Sequence, residues 1–388
     1  MPVPLPETEV LLTPPDYDEV ILSARAKVTA VCGPDGLTDI QRYVLVSHIE
    51  ALTGVHVDLD GLEPLGPSEY ADAMRRRNEA FRVRMVQTML LAAFVVTPLR
   101  EDVVERIREY AYELSVDDGM IDIAREISHG SRRLVMADFS RAGYHASDDR
   151  SIEAVLHVDA SLSDDWSVVE DDEELAERWA ALGDLAPGSL GRRVWEFYRA
   201  RGFQFPGSPG SAPPLLAQHD WVHVLADYGS TVESEIEVFG FIARANDDPR
   251  AFSLLAMVLS LFETGTLESA SIFQFDPSHL SQDGRHMAVR LADGMRRGAV
   301  VGAHFAGQDL LAVDWFALAD QQVDVVRDLM GIPPKSELAR EAGSVGPADV
   351  GGITTGQLTM GSGAADARGE PYDSYGALVV EGSPTSSY

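Results

Sequence analysis

Apolar residues recur at helical spacing through two long stretches of this sequence, 16–140 and 188–333. In the first stretch, one face of a predicted helix carries the apolar residues Ile40, Val44, Leu45, Ile49 and Leu52. Gly54 is expected to end this helix. A longer pattern begins at Ser68, which we expect to cap a helix. Alternation at every second residue, the mark of a strand, is nearly absent. The sequence therefore predicts an all-α fold.

The arrangement of these stretches predicts two helical domains. A flexible N-terminus (1–15) precedes the first domain (16–140), and an acidic linker (141–187) leads to the second (188–334). Residues 335–388 are rich in Gly, Ser and Ala, so we expect a disordered tail. Two apolar islands in this tail, 356–362 and 376–383, are either passive or docking peptides, and they resemble the cargo-loading peptides of encapsulin shells.

Charge and cysteine content exclude several classes of protein. The 388 residues carry a net charge of −31, which repels nucleic acid and anionic lipid surfaces. Cys32 is the only cysteine, so neither an intrachain disulfide nor a cysteine metal cluster can form. The N-terminus lacks a signal-peptide pattern, and the longest apolar run, 85–96, is too short to span a bilayer. We expect a cytoplasmic protein with at most peripheral contact with the inner face of the membrane.

An acidic pattern, D-G-x-x-D-I-x-R, occurs at 35–42 and again at 118–125. Acidic residues are common at helix starts, because they face the positive end of the helix dipole. The alternative is a cation site built from the carboxylates of Asp35, Asp39, Asp118 and Asp122. These paired turns in a helical region resemble the tellurite-resistance TerB-like domains over residues 20–140.

A candidate metal site lies in the second helical stretch. His219 and His223 are four residues apart, so on a helix they point to the same side, with Asp220 beside the first of them. Glu235 would be about 18 Å away along one straight helix. The intervening "DYGST" predicts a break, with Gly229 ending one helix and Ser230 and Glu233 forming a capping box for the next.

Two imidazoles with one or two carboxylates suit zinc or another divalent transition metal. The alternative interpretation is an amphipathic helix that carries two histidines on its polar side. The sequence leaves both open at this point.

The motif H-D-x-x-H followed by eleven residues and E, spanning His219, Asp220, His223 and Glu235, resembles the signature of the coenzyme Q (ubiquinone) biosynthesis protein family number four. The flanking segments "LGRRVWEFYRARGF" and "DLLAVDWFALADQQVDVVRDLMGIPP" are similar as well, so the resemblance covers residues 188–334. The chain departs from many relatives at Ser234, where they have glycine, and in its extra length.

The resemblance implies an all-helical, lipid-associated protein whose four motif residues hold a divalent metal, usually zinc. It also implies a role in processing prenylated quinone precursors, including oxidative loss of the ring carboxyl group, together with other biosynthetic proteins. A groove for the isoprenoid tail would be lined by Leu254, Leu255, Val258, Leu259, Leu261 and Phe262. The alternative for these six residues is ordinary core.

Two functions therefore compete. In the first, the protein is a metal-dependent enzyme acting on, or presenting, a prenylated quinone precursor or a similar lipophilic ring. In the second, it is a non-catalytic scaffold or cargo protein with a structural metal, recruiting partners through its N-terminal domain and tail. Self-association into a homo-oligomer is left open by the sequence.

Overall fold

The structure is a computed structural model that describes residues 15–96, 99–116, 119, 121–122, 124, 172–209, 211, 214–245, 255, 259, 284–304, 310–311 and 313–378. The first helices are α1 (Tyr17–Val31), α2 (Asp39–Thr53), α3 (Pro67–Ala73), α4 (Glu79–Phe94) and α5 (Glu101–Glu113). The later ones are α6 (Glu173–Ala181), α7 (Leu190–Arg201), α8 (Pro214–Ala226), α9 (Val232–Ala245), α10 (Gly284–His304), α11 (Val323–Met330), α12 (Glu337–Glu341) and α13 (Thr355–Arg368). Two short 3₁₀ helices span Leu182–Asp184 and Trp315–Leu318. Within these ranges there is no strand, and the all-α prediction is confirmed.

Side-chain caps explain where α2 and α4 begin. Thr38 caps α2 in a capping box with Gln41, so the first acidic pattern lies at a helix start as expected. The long pattern from Ser68 is divided into two helices, which the sequence analysis missed. Ser68 lies inside α3, and Asn78 starts α4 by accepting a hydrogen bond from the backbone N–H of Phe81.

The hydrophobic core is continuous between the two predicted domains. Helix α10 packs along α9 and also against α2, and one cluster of buried apolar side chains extends from α1 to α11. The division into two domains stays a prediction. Among the described helices, none is both long and apolar enough to cross a membrane, and the apolar run at 85–96 lies largely in the buried helix α4.

Residues 172–187 of the predicted linker are folded, and "DEELAERWAAL", where the sequence allows one helix, contains α6. Helix α6 places Trp179, 3 % exposed, in the core, where its ring lies 4.9 Å from that of Tyr198 and 5.4 Å from that of Trp221. The acidic residues of α6 face solvent, so the composition of this segment is that of a linker although the helix buries Trp179. Residues 141–171 lie outside the described part of the chain.

The disordered-tail prediction is wrong for residues 335–378. This segment contains α12 and α13, and α13 packs against α7 through a close backbone contact. A Cβ on Gly361 would lie 2.2 Å from the carbonyl oxygen of Ala200, so glycine is needed there. The small residues that suggested disorder therefore permit close helix packing. Residues 379–388 lie outside the described ranges.

Burial of Lys27 in α1 leads to a prediction about stability. The side chain is 1 % exposed, and burial lowers the pKa of its ammonium group from 10.5 to about 7. Between these pH values the unfolded chain binds more protons than the folded one, so this group costs stability at neutral pH and the cost falls as pH rises. We expect Lys27→Met to raise the free energy of unfolding by about 2–4 kcal/mol at pH 7.

Urea denaturation at pH 7, 8 and 9 measures this effect. The gain should shrink by about 1.4 kcal/mol per pH unit above pH 7. Lys335→Met is the comparison: burial also lowers the pKa of Lys335, but the carboxylate of Asp227, 3.7 Å away, offsets part of that fall, so its gain should be smaller and follow the same pH trend. A Lys27→Met gain that does not change with pH would contradict the assignment of the cost to proton binding.

Candidate metal centre

The turn after α8 reverses the chain so that α9 runs back beside it. Helix α8 ends at Ala226, and Asp227 takes the left-handed conformation, with φ of 65°. The first turn of α9 is capped by Thr231, whose hydroxyl accepts a hydrogen bond from the backbone N–H of Ser234. The predicted break is therefore present, but Asp227 and Thr231 form it rather than Gly229 and Ser230.

This reversal brings three of the four predicted ligands together. Oε2 of Glu235 lies 3.2 Å from Nε2 of His219 and 3.3 Å from Nε2 of His223. One potential ligand atom from each residue lies within 4.8 Å of the others, and no other such group occurs among the described residues. All three residues are buried, with exposures of 7 %, 0 % and 4 % for His219, His223 and Glu235. The cluster can hold a metal ion.

Aromatic rings fix the orientation of both imidazoles. The ring of His219 stacks on Phe239 of α9 at 5.1 Å, and that of His223 stacks on Phe197 of α7 at 5.5 Å. Nδ1 of His223 is buried and has no hydrogen-bond partner among the described residues. The aromatic stacking thus orients both imidazoles, and in each of them Nε2 is the atom turned toward Glu235.

The carboxylate of Glu235 is electrostatically prepared to bind a cation. Burial alone would raise the pKa of this group, but the charge of His223 and hydrogen bonds from both imidazoles outweigh burial and lower it well below its ordinary value. Glu235 is thus ionised throughout the neutral range, as a metal ligand must be.

Asp220 has a different role in the structure from the other three motif residues. Its Oδ1 lies 3.7 Å from Nε2 of His219, while its Oδ2 accepts a 2.5 Å hydrogen bond from the hydroxyl of Tyr198. Burial raises the pKa of Asp220, and the two histidines and Tyr198 offset part of that rise. Burial and the neighbouring Asp220 charge raise the pKa of Tyr198 well above its ordinary value, so the phenol remains a donor.

The other predicted sites are described only in part. Leu255 and Leu259 are fully buried, whereas Leu254, Val258, Leu261 and Phe262 lie outside the described residues. Asp35, Asp39 and Asp122 are exposed, and Asp118 lies outside the described residues. Both the lipid groove and the second cation site therefore stay predictions.

A cavity of about 400 Å³ lies between α7, α11 and the C-terminal segment. Phe197 lines it, together with three arginines and three carboxylates: Arg193, Arg201, Arg327, Glu196, Asp227 and Asp324. This lining suits a polar group and does not suit an isoprenoid chain. An isoprenoid tail would have to lie elsewhere.

Sequence reasoning missed Phe197, Tyr198 and Phe239, which contact the motif residues. Phe197 and Tyr198 lie in the segment "VWEFYRARGF", whose family resemblance assigns no role to single residues. Helical spacing shows which aromatic residues of α7 share a face, but it does not show which face packs against α8.

Comparisons with protein-family models, with curated proteins and with solved structures each find no match to this chain. The two family resemblances therefore stay predictions, and the site is interpreted from its own geometry.

Proposed function

We propose that this protein binds one divalent metal ion, zinc, between His219, His223 and Glu235, and uses it on a lipophilic ring substrate. The observation that carries the proposal is the convergence of these three donors from two helices in a buried site. Nitrogen and oxygen ligands of this kind are the usual zinc donors, and three protein ligands leave a fourth position open.

The two distances from Glu235 to the imidazole nitrogens are compatible with a single bound metal ion. Ligands about 2.0–2.1 Å from a tetrahedral ion lie about 3.3 Å apart, close to the 3.2 Å and 3.3 Å between the Glu235 oxygen and the two nitrogens.

The substrate proposal comes from the sequence resemblance. We propose a prenylated quinone precursor or a similar lipophilic ring, with ring decarboxylation as the reaction that the resemblance implies. A metal ion in this site would polarise a substrate oxygen or lower the pKa of a bound water. The chain itself offers the Tyr198–Asp220 pair beside His219, a buried hydrogen-bonded acid that can hold or orient a polar group of the ring.

A structural metal in a non-catalytic scaffold is the second candidate. The burial of all three ligands favours it, because structural zinc sites are closed to solvent. The two candidates differ in whether a small molecule reaches the site.

Mass spectrometry of an organic extract from the purified full-length protein distinguishes them. We expect the wild type to yield a prenylated ring compound, because the apolar tail of such a ligand would remain bound during purification. The matched control is the His219→Ala plus His223→Ala variant, which should yield less of it. Zinc-loaded protein whose extract holds no isoprenoid or quinone would favour the scaffold and overturn the substrate proposal.

A further inference from the structure

The turn that joins the two ligand helices is tied to the C-terminal part of the chain by backbone hydrogen bonds. The N–H of Gly229 donates to the carbonyl of Val345 at 2.9 Å, and that of Ser230 donates to the carbonyl of Gly352 at 3.0 Å. The two backbones are in direct contact, since a Cβ on Gly229 would lie 2.8 Å from Cα of Gly352. The turn therefore has no space to move toward this segment.

A side-chain pair reinforces the same contact. The hydroxyl of Ser230 donates to Oε1 of Gln357 at 2.7 Å, and Nε2 of Gln357 donates back to the carbonyl of Ser230 at 3.0 Å. Gln357 is 1 % exposed and also closes the capping box of α13 with Thr354. One buried amide thus joins the start of α13 to the turn beside the metal centre.

Arg201 connects this contact to the imidazole of His223. Its guanidinium donates to the carbonyls of Gly352 at 2.7 Å and Phe197 at 3.2 Å, and it also bonds the hydroxyl of Ser230. The guanidinium carbon lies 3.8 Å from the centre of the Phe197 ring, the ring that stacks on His223. A guanidinium that is 1 % exposed is costly to bury without such partners, so the cluster holds Arg201 in one position.

The position of the turn determines how far apart the ligands lie. Ser230 precedes Glu235 by five residues and follows His223 by seven, so a displaced turn moves the Glu235 carboxylate relative to both imidazoles. Metal–ligand distances tolerate only about 0.2 Å of change.

We propose that the C-terminal brace, the segment Val345–Gln357, positions the metal centre, with Gln357 and Arg201 as its positioning residues. This inference rests on the proposed function, because it concerns the geometry of the same metal site. The brace belongs to the region that composition alone assigned to a disordered tail. It makes the metal affinity of a site at 219–235 depend on residues more than a hundred positions away in the sequence.

The test compares full-length wild type with Gln357→Ala, with Co²⁺ and Zn²⁺ as the probes. We expect Gln357→Ala to bind Zn²⁺ about tenfold more weakly and to show an altered Co²⁺ d–d absorption spectrum at saturation. Gln357→Glu keeps an acceptor for the Ser230 hydroxyl but loses the N–H that donates to the Ser230 carbonyl, so it should also weaken binding and alter the spectrum. If Gln357→Ala does not fold, Ser230→Ala removes the hydroxyl bond of the same contact from the turn side.

Arg199→Ala is the matched control. Arg199 also ties α7 to the C-terminal segment, through an ion pair with Glu370, but this pair lies at the surface and does not contact the turn. The control should keep wild-type affinity and spectrum. Wild-type affinity and spectrum in Gln357→Ala as well would overturn the brace and leave the proposed function standing. A wild type that binds neither ion would overturn both.

Discussion

Replacing both His219 and His223 with alanine should abolish metal binding, lowering bound zinc from about one equivalent per chain to below about 0.1. The variant retains only one of the three clustered donors, and a single buried carboxylate does not hold a transition-metal ion against water. Elemental analysis of the purified proteins, after dialysis against metal-free buffer and one equivalent of Zn²⁺, measures the change.

The control removes two histidines from outside the cluster. His56 and His286 are both exposed, and the His56→Ala plus His286→Ala variant should bind as much zinc as wild type. Equal metal content in the two double variants would refute the ligand assignment. Circular dichroism of the metal-free proteins shows whether a loss of metal reflects loss of the site or loss of the fold.

Gly298→Ala should destabilise the protein by about 3 kcal/mol, because the added Cβ forces α9 and α10 apart. A Cβ at this position of α10 would lie 2.1 Å from the carbonyl oxygen of Phe241 in α9, a backbone atom that cannot rotate away. The neighbouring glycines on the same face, Gly294 and Gly302, approach α9 almost as closely. Since α9 carries Glu235, the variant should also bind zinc more weakly.

Urea denaturation of the metal-free protein measures the stability change, with Gly363→Ala as the matched control. Gly363 lies on the exposed side of α13, and its added Cβ would meet nothing within 4 Å. This second substitution should stabilise the protein by about 0.5–1 kcal/mol, since alanine is the better helix former. Gly298→Ala unfolding at the wild-type urea concentration would show that α9 and α10 are not in such close contact.

The positions of the three clustered donors, His219, His223 and Glu235, were predictable because they depend on local geometry. The four-residue spacing of His219 and His223 places them on one face of any helix, and "DYGST" contains enough turn-forming residues to reverse the chain. The residues that end α8 and cap α9 were not predicted correctly, because several residues of this segment suit a helix end or start: Asp227, Ser230 and Thr231. The contact of Ser230 with the distant Gln357 leaves Thr231 as the cap.

The role of Asp220 could not be deduced from the sequence motif alone. The family resemblance implies four ligands, while the local spacing leaves Asp220 as a ligand, a partner of an imidazole or a base. The structure pairs its carboxylate with Tyr198, a residue of another helix. That pairing depends on which face of α7 meets α8, and no local pattern specifies it.

The sequence by itself determined the helical class, the reversal between α8 and α9, and the set of residues that can bind a metal, because each follows from spacing along one or two helices. Only the tertiary structure decided that residues 335–378 are packed and that segment 345–357 contacts the turn beside the His219–His223–Glu235 cluster. The physical reason is that glycines such as Gly352 and Gly361 have no side chain, so the spacing of apolar residues does not reveal that they are buried. These glycines allow two backbones to approach closely, and that contact is evident only when the positions of both segments are known.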